Sequence, residues 1–176
     1  SKYSPARNRF AFVPAGMEEG SIPSPVGVLC EDKQGDLWIA GEKGVTRCNR
    51  VQGKSHLYSP DARNPQTLSG RFVSAIHEDR LGFMWFGTIG DGLSRFDRHT
   101  EVFKRYKMDS SDSSRIGNSA GPICEDGNGT LWIGTGRGIA SLDRARDKFI
   151  YYGDYATIAR RDPVVFNVNC ILEKED

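Results

Sequence analysis

Three stretches decide how this chain folds: Val28-Leu29-Cys30-Glu31-Asp32-Lys33-Gln34-Gly35-Asp36-Leu37-Trp38-Ile39-Ala40-Gly41, Ala75-Ile76-His77-Glu78-Asp79-Arg80-Leu81-Gly82-Phe83-Met84-Trp85-Phe86-Gly87-Thr88 and Pro122-Ile123-Cys124-Glu125-Asp126-Gly127-Asn128-Gly129-Thr130-Leu131-Trp132-Ile133-Gly134-Thr135. They align without a gap, and Trp38, Trp85 and Trp132, the only tryptophans, stand 47 residues apart. The likeness continues past each tryptophan: Gly44-Val45-Thr46-Arg47-Cys48-Asn49 matches Gly92-Leu93-Ser94-Arg95-Phe96-Asp97 and Gly138-Ile139-Ala140-Ser141-Leu142-Asp143. Each unit ends in an aromatic stretch, at His56-Leu57-Tyr58, Val102 to Tyr106 and Lys148 to Tyr152.

Within a unit the apolar residues fall in brief runs rich in β-branched and aromatic types, with no 3.6-residue period sustained over a helical length. Gly35, Gly82 and Gly129 occupy hairpin positions that ask for positive φ. Gly41, Gly87 and Gly134 follow the tryptophan strand, where a side chain is expected to obstruct the neighbouring backbone or the turn. Four short strands recurring about every 47 residues predict an all-β fold of four-stranded antiparallel β-propeller blades. The expected division is 22–68, 69–116 and 117–164 for three blades, with 1–21 as the closing strand of a preceding blade and 165–176 as the opening strand of the next. Three blades make an incomplete propeller, because a closed ring needs at least four. Exposed blade edges predict self-association. The chain opens at Ser1 without an initiator Met, as expected of a fragment.

Composition narrows the function. Lys plus Arg number 24 against 23 Asp plus Glu, with signs interspersed. That balance argues against nucleic acid or an anionic membrane surface as partner. No apolar run is long enough for a membrane helix, and no signal-peptide pattern is present. Cys30, Cys48, Cys124 and Cys170 have neither CxxC nor histidine spacing, so no metal and no cofactor is expected. Cys124 and Cys170, in adjacent units, are the one pair close enough to examine for a disulfide; four free thiols is the expectation.

Three features invite a chemical reading. The acidic pairs Glu31-Asp32, Glu78-Asp79 and Glu125-Asp126 could line a central channel and bind cations, but recurrence in every unit favours a fold role in which the aspartate holds the hairpin turn and the glutamate ends a strand. His77, His56 and His99 share no unit position, which argues against a histidine cluster. The glycine-rich segments Gly87 to Gly92 and Gly134 to Gly138 precede strands rather than helices, so they read as turns and not phosphate loops. No catalytic residues are predicted. The inter-unit connections read as polar, and loops on a rigid scaffold carry binding residues. Arg71, Arg115, Arg137 and Arg161 are the candidate ligand-binding residues.

The succession Ile76-His77-Glu78-Asp79, Gly129-Thr130-Leu131-Trp132-Ile133-Gly134-Thr135, Gly92-Leu93-Ser94-Arg95-Phe96-Asp97 and Phe103-Lys104-Arg105-Tyr106 resembles the two-component regulator propeller repeat. Asn64-Pro65-Gln66-Thr67-Leu68-Ser69 is similar to that family's inter-blade linker. Ala40, Cys48 and Lys174 depart from the pattern. The resemblance implies a periplasmic input module of a bacterial inner-membrane sensor whose histidine kinase or diguanylate cyclase lies outside this chain. It implies recognition of an oligosaccharide or other small ligand without catalysis, acting by a shift between conformations of a dimer. Two alternatives stand beside it. A streptogramin-lyase-like enzyme would bring a histidine and an acid together near the channel. A protein-interaction scaffold would show apolar inter-unit loops.

Overall fold

The computed structural model describes residues 27–106, 119–135 and 138–152. They form three four-stranded antiparallel sheets. The first comprises β1 (Leu29–Glu31), β2 (Leu37–Gly41), β3 (Gly44–Asn49) and β4 (Lys54–Tyr58). The second comprises β5 (Val73–Glu78), β6 (Met84–Thr88), β7 (Gly92–Asp97) and β8 (Val102–Tyr106). The third comprises β9 (Ala120–Glu125), β10 (Leu131–Thr135), β11 (Gly138–Asp143) and β12 (Lys148–Tyr152). Strand order follows chain order in each sheet. The first strands, β1, β5 and β9, take part in the contacts that bring neighbouring sheets together, so they form the inner edge. These are propeller blades, and three of them do not close a ring.

One device builds every inner hairpin. The backbone N–H of Gly35 donates to the carbonyl of Asp32, and those of Gly82 and Gly129 do the same to Asp79 and Asp126. The three glycines have φ of 82°, 84° and 85°, as the turn demands. The aspartate side chain finishes the turn. Oδ1 of Asp79 accepts the amides of Leu81 and Phe83, both at 3.0 Å, and Oδ2 accepts Trp85 Nε1 at 2.9 Å. Asp32 with Trp38 and Asp126 with Trp132 repeat this arrangement. The fold role read for the aspartates is therefore the one they play.

The apolar core lies between sheets rather than within them. Trp38 is fully buried against Phe86 and Phe96 of the second sheet, with ring centroids at 5.3 and 5.4 Å. Trp85 stacks on Tyr106 of its own sheet and meets Phe149 of the third edge-on. Two clusters result, one at each interface. Each blade is thus stable only against a neighbour. Cys48 takes the core slot filled by Phe96 and Leu142 in the other blades. No disulfide joins Cys30, Cys48 and Cys124; the Cys124–Cys170 pairing lies outside the described residues, as do the flanking strands expected in 1–21 and 165–176.

One glycine expectation needs correction. Ala40, not Gly41, occupies the position of Gly87 and Gly134, two residues after the tryptophan. At Gly87 a Cβ would lie 2.6 Å from the carbonyl oxygen of Ala120, so the third blade's backbone leaves no space there. Ala40 is itself buried at the first interface, which accommodates the extra methyl.

Candidate functional site

The acidic pairs form no open ring. Two of the glutamates reach back to the preceding blade: Glu78 Oε2 accepts the Lys33 amide at 2.6 Å, and Glu125 Oε2 accepts the Arg80 amide at 2.7 Å, while Glu31 pairs with Arg50 of its own sheet at 3.2 Å. An arginine following the third strand then ties the aspartate of one blade to the glutamate of the next. Arg98 lies 2.7 Å from Asp32 and 3.6 Å from Glu78, and Arg144 lies 3.0 Å from both Asp79 and Glu125. Burial disfavours the charged form of Asp32, yet hydrogen bonds from Arg98, Trp38 and the Asp36 amide hold its carboxyl below the ordinary value. The donation from Trp132 does the same for Asp126. These groups are spent on joining blades. Among the described residues no group of His, Cys, Asp and Glu could hold a metal ion.

The inner-strand histidine is no better placed for catalysis. His77 pairs with Trp85 across the sheet, and its Nε2 is buried without a hydrogen-bond partner. Burial pushes its pKa down, partly offset by Glu125 and Asp79. Glu125, the acid with the largest effect on it, is already occupied by Arg80 and Arg144. A proton-transfer pair needs an accessible acid, and this one is engaged.

The connections supply a different surface. Residues 59–72, between the first and second sheets, are firmly anchored. Leu68 is fully buried, Arg105 donates to the Thr67 carbonyl at 2.7 Å, and the Ser69 amide donates to Ser94 Oγ at 2.9 Å. The anchored linker ends at Arg71, which is exposed, and Phe72, which is 63% exposed. The Phe72 carbonyl accepts the amide of Ile89, whose side chain is 59% exposed. Gly90 donates to Ser119 Oγ at the start of the third blade. Asp91 folds over Gly70 so closely that a Cβ there would lie 2.3 Å from its Oδ2. Arg71, Phe72, Ile89 and Asp91 therefore share one end of the second blade, offering a cation, a ring face, an aliphatic patch and a carboxylate.

Of the sequence-predicted binding residues, Arg71 belongs to this surface, while Arg115, Arg137 and Arg161 lie outside the described residues. The connections were expected to be polar, but exposed Phe72 ends the one between the first two sheets, and exposed Ile89 stands beside it in the β6–β7 turn. Sequence reading missed both, because an aromatic beside a strand and an isoleucine after one resemble core residues.

Comparison with known proteins agrees with this architecture. The two component regulator propeller model matches residues 20–43, 67–90 and 115–137. Each of the three blades thus carries the two component regulator propeller repeat. Among solved structures, the extracellular domain of the hybrid two component system BT3049 of B. thetaiotaomicron is 26% identical, with a TM-score of 0.66 over 78% of this chain and 19% of that one. The extracellular domain of the one component system BT4673 of the same organism is 28% identical, with a TM-score of 0.56 over 69% of this chain and 17% of that one. This chain thus spans less than a fifth of either relative. A streptogramin B lyase is 20% identical, with a TM-score of 0.55 over 74% of this chain and 42% of that one, a likeness of fold alone. No curated protein matches the sequence. No helix among the described residues is long and apolar enough to cross a membrane.

Proposed function

We infer that this chain is a ligand-sensing segment of an extracytoplasmic bacterial receptor, working in the periplasm without catalysis of its own. The carrying observation is that exposed Phe72 and Arg71, at the end of an anchored linker, stand beside exposed Ile89 and Asp91 of the β6–β7 turn. A ring face beside charged hydrogen-bonding groups suits an oligosaccharide or another small polyhydroxylated ligand: the apolar patch covers the C–H face of a sugar, and the charged groups take its hydroxyls. The kinship with extracellular domains of two component and one component systems supports the sensor reading. Binding where the linker from the first blade meets the second would bias how those two blades sit, which is what a conformational signal requires.

Thermal-shift screening of the full chain against a panel of neutral oligosaccharides tests this reading. At least one member should raise Tm, and Arg71→Ala and Phe72→Ala should remove that rise. A panel without effect, or an equal rise in both variants, would exclude the site.

A further inference from the structure

The two interfaces between blades differ at their outer rim. Ahead of the outer strands β8 and β12 stands an acidic residue with positive φ, Glu101 at 55° and Asp147 at 53°. At the second interface Asp147 reaches across to the preceding blade. It accepts the Tyr106 hydroxyl at 2.7 Å and is bonded by the Lys104 ammonium, which also lies 5.3 Å from the Tyr106 ring centre. The rim there is held shut by an internal ammonium in contact with a carboxylate and a tyrosine ring.

The first interface has the same parts except the lysine. Tyr58 takes the place of Tyr106, Phe103 that of Phe149, and Glu101 that of Asp147. His56, paired with Arg47 as Lys104 is with Arg95, replaces the lysine. Glu101 is left 65% exposed, with its nearest cation, Arg47, at 3.9 Å and already paired with Asp36 at 2.6 Å. A groove of about 340 Å³ remains between β4 and β8, bounded by His56, Tyr58 and Phe103 and by Asn64 and Gln66 of the linker. Glu101 is its only charged lining residue among those described. Arg105, outside the lining, is spent on the carbonyls of Asp61 and Thr67.

We propose that this rim groove is a binding site for a primary ammonium group, held by the Glu101 carboxylate and the faces of Tyr58 and His56. The ligand takes the place that Lys104 fills one blade further on. A carboxylate beside aromatic faces is the combination that attracts cations, by charge and by the ring quadrupole together. The ammonium can come from an alkylamine, as on a lysine side chain, or from an amino sugar. The site is separate from the Arg71 and Phe72 surface and does not depend on it.

Titration of the full chain with butylamine and with glucosamine, at neutral pH and low salt, reads this directly through the aromatic NMR signals of His56 and Tyr58. At least one amine should shift both signals saturably, while butanol and N-acetylglucosamine leave them unmoved. The amine that binds identifies the source. Glu101→Gly, which suits the positive φ, should weaken binding about tenfold or more. His56→Lys should supply the ammonium internally, raise Tm and abolish binding. Silence from both amines, equal response to butanol, or unchanged binding in either variant would overturn the proposal.

Discussion

Trp85 Nε1 donates to Asp79 Oδ2 at 2.9 Å, and the same oxygen receives Arg144 of the next blade at 3.0 Å. One fully buried carboxylate therefore closes its own hairpin, orients its own tryptophan and fastens the neighbouring blade. Asp79→Asn keeps the shape but leaves Arg144 without that charge and sets an amide where an acceptor is needed. A loss of about 2–4 kcal/mol is expected. Urea denaturation of the two proteins measures it, and a loss below about 0.5 kcal/mol would contradict the arrangement.

Tryptophans that span an interface should matter more than one packed mainly within its own sheet. Trp38 and Trp85 are fully buried against the following blade, whereas Trp132 is half-buried and packs on Tyr152 of its own sheet. Trp85→Ala should cost about 3–5 kcal/mol, and Trp132→Ala clearly less. Thermal melts of both variants provide the comparison.

The blade spacing predicts an asymmetry between two small residues. Gly87→Ala forces a methyl group against the Ala120 carbonyl, which Ser74 Oγ also holds at 2.6 Å. The expected loss is about 1–3 kcal/mol. Ala40→Gly creates no clash and should cost roughly 1 kcal/mol or less. Equal effects would mean that the two interfaces are alike.

Stability should fall with acid in two stages. Burial lowers the pKa of His77 from 6.5, so the native chain keeps it neutral while the unfolded chain takes up a proton. Stability is then lost as pH drops through 6.5 and levels off below the native value. Asp32 and Asp126 are shifted below 3.8, so their contribution is present above that value and lost as pH falls through the native ones. His77→Leu should remove the first stage and leave the second, as read from urea midpoints between pH 7 and pH 3.

Much of this architecture is legible in the sequence because it repeats in register. The tryptophan, the hairpin glycine and the Glu-Asp pair recur at one spacing, and a shared spacing is the imprint of a shared slot. The links between blades are less legible. Arg144 and Asp79 are 65 residues apart and meet only once two sheets stack. The outer acidic position is occupied by Gly53, Glu101 and Asp147 in turn, so identity hides what positive φ reveals. The candidate binding surface was half read: Arg71 stood out as a loop cation, but the exposure of Phe72 depends on where the linker anchors.

In the proposed function, the ligand meets the end of the second blade that carries Arg71, Phe72, Ile89 and Asp91. Hydrogen–deuterium exchange of the full chain, with and without the oligosaccharide giving the largest thermal shift, tests it most directly. Exchange should slow at the amides of 69–73 and 89–92, with the opposite hairpins at 32–36 and 79–83 unchanged. Protection confined to those opposite hairpins, or no protection in 69–73 and 89–92, would contradict it.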